Sequence, residues 1–198
     1  MNRHIVVFVE GDTDFVVFKR IIEYYKEKFP EVKSVKTHVV NLKGIGRFSS
    51  NACAKLKNDI IPKIKKEKGE ISHIICCHDT DVFEFSRNPP INLDKVIKDL
   101  QNIAKKSSIE KIEVKSSMED WMLSDLKGLC SYLKIKKIPV RLSGNSGYEK
   151  MKFLFHKADK IYTKGYDCEN VVKNIDIETI LNNFSEQLLP LKKALQLL

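Results

Sequence analysis

The stretch "VVFVEGDTDF", residues 6–15, runs four apolar positions into a glutamate, a glycine and two aspartates. Extended back to His4, the run "HIVVFVE" is β-branched and aromatic with no polar alternation. That pattern predicts a strand buried on both faces of a parallel sheet. Such a strand has no evident need to finish in Glu10, Asp12 and Asp14 unless the carboxylates have work at its end. The stretch reads as one corner of a site for a metal ion and a phosphate, and the other corners must come from elsewhere in the chain.

Working outward, Phe15, Phe18, Ile22, Tyr25 and Phe29 repeat at helical spacing, with Asp12 or Thr13 placed to cap the helix and Pro30 to stop it. "VKTHVVNL", from Val35 to Leu42, has the length and apolar content of a second strand, and "KGIGRFSSN" after it reads as a loop opening a helix. The helix is predicted from about Asn51 to Lys68, with Cys53, Leu56, Ile60 and Ile64 on one face and lysines on the other; Pro62 is placed to kink or split it. "ISHIICCHDTD", from Ile71, predicts a third buried strand that ends, like the first, in acids, here Asp79 and Asp81. Beyond a proline-containing loop, Asn92 caps a helix that turns Leu93, Val96, Ile97, Leu100 and Ile103 inward. "IEKIEVK" from Ile109 is a fourth strand, and "SSMEDWML" opens a helix capped by Ser116 or Ser117 with Glu119 in its first turn.

Four alternations of strand and helix predict an α/β fold on a four-stranded parallel sheet with right-handed crossovers. From about Lys127 the pattern is mostly helical, interrupted by "RLSGNSGYEK" at 141–150. That segment lacks the lysine and threonine of a phosphate-binding P-loop and reads as a flexible connector. The expected division is an α/β core over 1–126 and a helical C-terminal extension over 127–198, packed on the core as its outer layer or as a small appendage.

Composition sets the outer bounds. A chain of 198 residues suits one main domain. Its 42% hydrophobic and 31% charged residues are those of a soluble globular protein. No run of about eighteen apolar residues is present to span a bilayer, and Ile5–Val9 is too short for a secretory or anchoring segment, so a cytoplasmic location is expected. The five cysteines, Cys53, Cys76, Cys77, Cys130 and Cys168, form no CxxC pair, so reduced thiols are expected rather than a disulfide framework or a zinc site. Lysine and arginine exceed the acids by 35 − 26 = 9, which favours an anionic partner: nucleic acid or a phosphorylated substrate.

In open α/β sheets, ligands bind beyond the carboxyl ends of the strands, where the strand order reverses. Glu10, Asp79, Asp81 and Glu119 all fall at such ends. Gathered carboxylates repel one another unless a cation lies between them. Oxygen donors without cysteine or histidine at ligand spacing suit Mg²⁺ or Mn²⁺. Each motif also has a plainer structural reading: Glu10-Gly11 as a turn, Asp79-Thr80-Asp81 as an Asx-type turn with a cap, Glu119 as a favourable first-turn charge. His78 suits a hydrogen-bonded neighbour better than a catalytic base, and Trp121 suits the core.

"VEGDTD", "KGIGRF" and "HDTD", each after its own strand, together resemble the TOPRIM domain shared by topoisomerases, bacterial primases and OLD-family nucleases. "SSMEDWMLSD" is similar to the acidic segment of small standalone TOPRIM-like proteins of prokaryotes found among phage-defence genes. The likeness covers about residues 4–125 and, more weakly, "IYTKGYD" around Lys164. It implies a TOPRIM-type, Rossmann-like sheet and a Mg²⁺- or Mn²⁺-dependent nuclease that hydrolyses phosphodiesters, with a role in antiviral defence by analogy. The implied site has Glu10, Asp79 and Asp81 as metal ligands and catalytic residues, with Asp14 and Glu119 near a second ion; Glu10 serves as a ligand or as a general acid or base. Lys164 is expected to contact phosphate and take part in catalysis, while Lys43, Arg47, Lys150 and Lys157 are candidates for nucleic-acid contacts. The alternatives are a non-catalytic TOPRIM module that binds nucleic acid or an ATPase partner protein, a maturase of structured RNA, and a phosphatase of small phosphates.

Overall fold

The computed structural model describes residues 2–84 and 91–198, so the proline-containing loop expected after Asp81 lies mainly outside the described residues. Four strands, β1 (Asn2–Val9), β2 (Lys36–Asn41), β3 (Gly69–Asp79) and β4 (Ser108–Val114), form one all-parallel sheet in the order β2-β1-β3-β4. In β1, Ile5, Val7 and Val9 enter one hydrophobic cluster while Val6 and Phe8 enter the other. Both faces of the strand are thus covered, which is why its sequence shows no polar alternation.

Helix α1 (Asp12–Lys28) joins β1 to β2 and packs Val17, Phe18, Ile21 and Ile22 into the cluster on one face. Its start differs from the sequence expectation. Gly11 is the N-cap, without a side-chain cap, and Asp12 and Asp14 lie inside the first turn. There their charges meet the positive end of the helix dipole.

The opposite face is covered by α2 (Phe48–Lys55), a π-helical turn (Leu56–Ile60) and α3 (Ile61–Lys66), followed after β3 by the short α4 (Asp81–Glu84) and by α5 (Leu93–Ile103). The kink expected at Pro62 is realised as that π turn. A proline ring clashes with the carbonyl four residues back, here that of Asn58, and a wider turn relieves the clash. Leu56, Ile60 and Ile64 still reach the core. Asn92 caps α5 as expected, accepting from the Lys95 amide at 2.9 Å.

The C-terminal part forms α6 (Met118–Leu123), α7 (Leu126–Tyr132), α8 (Gly147–Lys157), α9 (Cys168–Asn174), α10 (Ile177–Asn183) and α11 (Leu189–Leu195). Leu154, Val171, Ile180 and Leu191 share one hydrophobic cluster with α1 and the sheet residues Ile75, Cys77, Ile112 and Val114. These helices therefore complete the layer over the α1 face. Trp121 joins them, fully buried, with its ring stacked on Phe184 at 4.4 Å and tilted toward Phe18 at 6.2 Å. Among the described residues no helix is long and apolar enough to cross a membrane.

The strand order fixes where a ligand can sit. After β1 the chain moves outward to β2 by way of α1, whereas after β3 it moves the other way to β4 by way of α5. The connections part between the carboxyl ends of β1 and β3, leaving a crevice of the kind that binds ligands in open α/β sheets. Glu10 stands at one side of that crevice and Asp79 at the other.

Candidate active site

Three loop corners and one distant segment meet at the crevice. At the first corner, Glu10 leaves β1 and its carbonyl accepts from the Gly44 amide at 2.8 Å. The backbone groups of Asp79, at the end of β3, and Ile45, in the loop after β2, act on its carboxylate and favour its ionised form. The Glu10 side chain thus lies among three strand ends. Gly44 makes the loop possible: its φ of 112° lies where residues with a Cβ are strained.

The second corner is held to the third through Thr80. Its amide donates to the Val114 carbonyl at 3.0 Å and its hydroxyl accepts from the Ser116 amide at 3.0 Å. The Asp81 amide donates to the Ser116 carbonyl at 3.3 Å. Of the two candidate caps, Ser117 is the one used, accepting from Asp120, while Ser116 takes a left-handed φ of 62°. These bonds bring Glu119, in the first turn of α6, beside the β3 end.

Glu119 is fully buried. Its Oε1 accepts from the Thr13 hydroxyl at 3.4 Å and the Tyr162 hydroxyl at 3.3 Å, and its Oε2 lies 3.4 Å from the Lys164 ammonium. Lys164 itself is half exposed. Burial opposes its charge, but Glu119, Asp79 and Asp14 more than offset this and push its pKa up, so the ammonium stays protonated at the heart of the acids.

Burial pushes Asp79 up to about 9, with Asp14 and Glu10 adding repulsion and Lys164 opposing it. Asp14 is pushed up to about 7, again by burial first and then by Glu10. Glu10 is raised by burial, helped by Asp81 and opposed by the Asp79 and Ile45 backbone and by Lys164. Glu10, Asp14 and Asp79 therefore interact through charge with one another and with Lys164, Asp81 acts on Glu10 and Asp79, and Glu119 joins them through Asp14 and Lys164.

Not every expected contact residue comes to the centre. Lys43 reaches Asp12 Oδ1 at 2.6 Å, where Asn41 Nδ2 also donates at 2.7 Å, so it borders the site across the α1 start. Arg47 is exposed at the end of the same loop. Lys150 pairs with Asp120 at 3.0 Å, next to Glu119. Lys157 is about 10 Å further along α8, its ammonium over the Phe153 ring at 5.3 Å, and the structure does not bring it to the acids. His78 is buried with its ring edge-on to Phe83 at 5.1 Å, and the charges acting on it are those of Glu113 and Lys111.

The "SGNSG" segment is a built structure rather than a flexible connector. Ser146 and Glu149 form a reciprocal capping box at the start of α8. Gly147 sits so close to α6 that a Cβ there would lie 2.5 Å from Ser117 Oγ and 2.6 Å from Asp120 Oδ2. Gly147→Ala is expected to cost about 1–3 kcal/mol through this overlap, read as a lower denaturant midpoint; an unchanged midpoint would show that the α6–α8 contact yields freely.

Sequence reading missed Thr13 and Tyr162 as partners of Glu119. Thr13 lay between two acids already under scrutiny, and Tyr162 is two residues before Lys164 in the quoted "IYTKGYD"; that adjacency was the available signal.

Several carboxylate oxygens here are buried with nothing to accept. Among the described residues, Glu10 Oε2, Asp14 Oδ1 and Asp79 Oδ1 have no hydrogen-bond partner, and Glu119 Oε2 has only the Lys164 ion pair. Buried, unpaired polar atoms are costly and rare. Hard anionic oxygens with unused lone pairs fit a divalent cation of the Mg²⁺ type. Among the described residues no group of three or more such side chains is already gathered around one metal position. No protein-family model matches the chain, and no curated protein or solved structure matches it.

Proposed function

We propose that the chain is a metal-dependent phosphodiester hydrolase, a nuclease of TOPRIM type acting on nucleic acid with Mg²⁺ or Mn²⁺. The observation that carries this reading is the meeting of Glu10, Asp14, Asp79 and Glu119, with unsatisfied oxygens, around the ammonium of Lys164 at the crevice between β1 and β3. Glu10, Asp14 and Asp79 would hold the ion, with Asp81 and Glu119 as further donors. When bound, the ion would neutralise charge on the phosphoryl oxygens and make a bound water more acidic.

The chain's own groups have distinct parts. Asp79 and Asp14 hold protons that ligation must displace, because metal ligands bind ionised. Glu10, whose Oε2 is buried with no hydrogen-bond partner, offers an oxygen able to accept a proton from an attacking water. Lys164 adds a fixed positive charge against a phosphate oxygen, and the Tyr162 and Thr13 hydroxyls hold Glu119 in place. The excess of nine basic residues supports a polyanionic substrate.

The test is cleavage of labelled single- and double-stranded DNA and RNA with Mg²⁺, with Mn²⁺ and with EDTA. Cleavage that needs the metal and disappears in Glu10→Gln is expected. Metal binding without cleavage of any of the four would leave a binding module in place of an enzyme.

A further inference from the structure

The segment that delivers Lys164 to the acids also carries an aromatic ring outward. Residues 163–167 form a turn closed from both ends: the Thr163 amide donates to Asp167 Oδ2 at 2.6 Å, and the Asp167 amide donates to the Thr163 carbonyl at 3.1 Å. Gly165 takes φ 82°, and a Cβ there would lie 3.1 Å from Asp12 Cβ, so the turn is seated on the start of α1. The result is a rigid presentation. Lys164 points into the site while Tyr166, two residues on, is 80% exposed.

Other apolar groups stand out nearby. Ile161 is 85% exposed, and Tyr148 is 38% exposed with its ring 5.9 Å from that of Tyr162, whose hydroxyl bonds Glu119. Basic groups lie on both sides. Lys43 reaches Asp12 beneath the turn, and Lys152 lies over the Tyr148 ring at 5.5 Å. Cations and exposed aromatic rings thus lie together beside the acidic crevice, the combination by which proteins bind single strands: cations follow the backbone, and rings stack on bases. In a duplex the base faces are covered by neighbouring bases, so a phenol ring has nothing to stack on.

We propose that the Thr163–Asp167 turn is a platform for single-stranded nucleic acid, with Tyr166 stacking on an unpaired base while Lys164 takes the adjacent phosphate. The proposal rests on the hydrolase reading and narrows its substrate to unpaired strands or the frayed and looped parts of folded ones. Tyr148 supplies a second stacking surface on the α8 side.

The experiment is fluorescence anisotropy with Mg²⁺ and phosphorothioate oligonucleotides of about 12 nucleotides, a length within usual single-strand site sizes, whose backbone resists hydrolysis. The single strand is compared with the blunt duplex of the same sequence, using wild type, Tyr166→Ala and Tyr166→Phe. Wild type is expected to prefer the single strand. Tyr166→Ala should weaken that binding by about five-fold to a hundred-fold, leave the duplex unchanged and leave Mn²⁺ binding unchanged, while Tyr166→Phe keeps wild-type affinity. Equal binding of duplex and single strand, or no change in Tyr166→Ala, overturns the platform while intact Mn²⁺ binding and cleavage leave the hydrolase reading standing. Loss of every nucleic-acid and Mn²⁺ signal in wild type overturns both.

Discussion

Asp79→Asn is expected to lower metal-dependent hydrolysis by about 10³-fold or more while raising the melting temperature of the metal-free protein. The activity loss follows from the role of the ion, which supplies several kcal/mol of charge stabilisation, each 1.36 kcal/mol being about tenfold in rate. An amide replaces one anionic donor and leaves the shape unchanged. The gain in stability has a separate cause. Asp79 is 6% exposed at the end of β3, faces Asp14 and Glu10, and has an oxygen with nothing to accept. A neutral amide sits among these carboxylates without the cost of holding a proton that the unfolded chain would release, and it can donate to a neighbouring carboxylate. Loss of activity with a raised melting temperature separates a site residue from a merely structural one, whose replacement lowers both; a fall in melting temperature would count against the electrostatic account.

The second large effect is in the pH dependence of stability. Asp79 is pushed up to about 9 and Asp14 to about 7 from an ordinary 3.8. Over that span the folded protein holds protons that the unfolded chain has released, so stability falls as pH rises. The contribution of these groups is complete below about pH 4 and is lost as the pH passes their folded values. One unit of displacement corresponds to about 1.4 kcal/mol, and about 1 kcal/mol moves the melting temperature of a chain this size by about 2–4 °C. The advantage of Asp79→Asn over wild type should therefore grow by about 10–20 °C from about pH 5 to about pH 9. Mg²⁺ should invert the trend in wild type, because it binds the ionised carboxylates and stabilises more as pH rises. Melting curves that run parallel in the two proteins, with and without Mg²⁺, would contradict the raised values.

The fold was legible where the sequence pattern is set by burial on two sides. β1 and β3 are apolar runs because both their faces are covered, and the acids after them stand at the strand ends because no core position there accepts a charge. The α/β sheet with a helical C-terminal region follows directly. Boundaries were less legible, since local chemistry offered equal choices: Asp12 or Thr13 to cap α1, where the structure uses Gly11, and Ser116 or Ser117 to cap α6. Packing decides. Asp12 is drawn into the helix, where Asn41 and Lys43 bond it, and Ser116 is spent on the turn that holds Thr80.

The C-terminal helices were legible only as a class. Four of them, α7, α9, α10 and α11, are seven residues long, two turns each. Two turns give too few repeats for a helical period to show. Their burial comes from a cluster shared with α1 and the sheet, which no local pattern encodes. Lys164, in the quoted "IYTKGYD", is carried by the fold to Glu119, whereas Lys157 is carried away along α8. Tyr162 and Thr13 converge on Glu119 from 43 and 106 residues away, a contact visible only once the chain has folded.

The most direct test of the central claim is Mn²⁺ calorimetry near pH 7, performed on wild type and Asp79→Asn in two buffers of different ionisation enthalpy. A carboxylate centre that holds protons at this pH must release them when the ion binds. The account predicts a saturating heat in wild type that differs between the buffers, showing proton release, and a much weaker signal in Asp79→Asn. No binding by wild type, or equal binding by both proteins with no proton release, would contradict it.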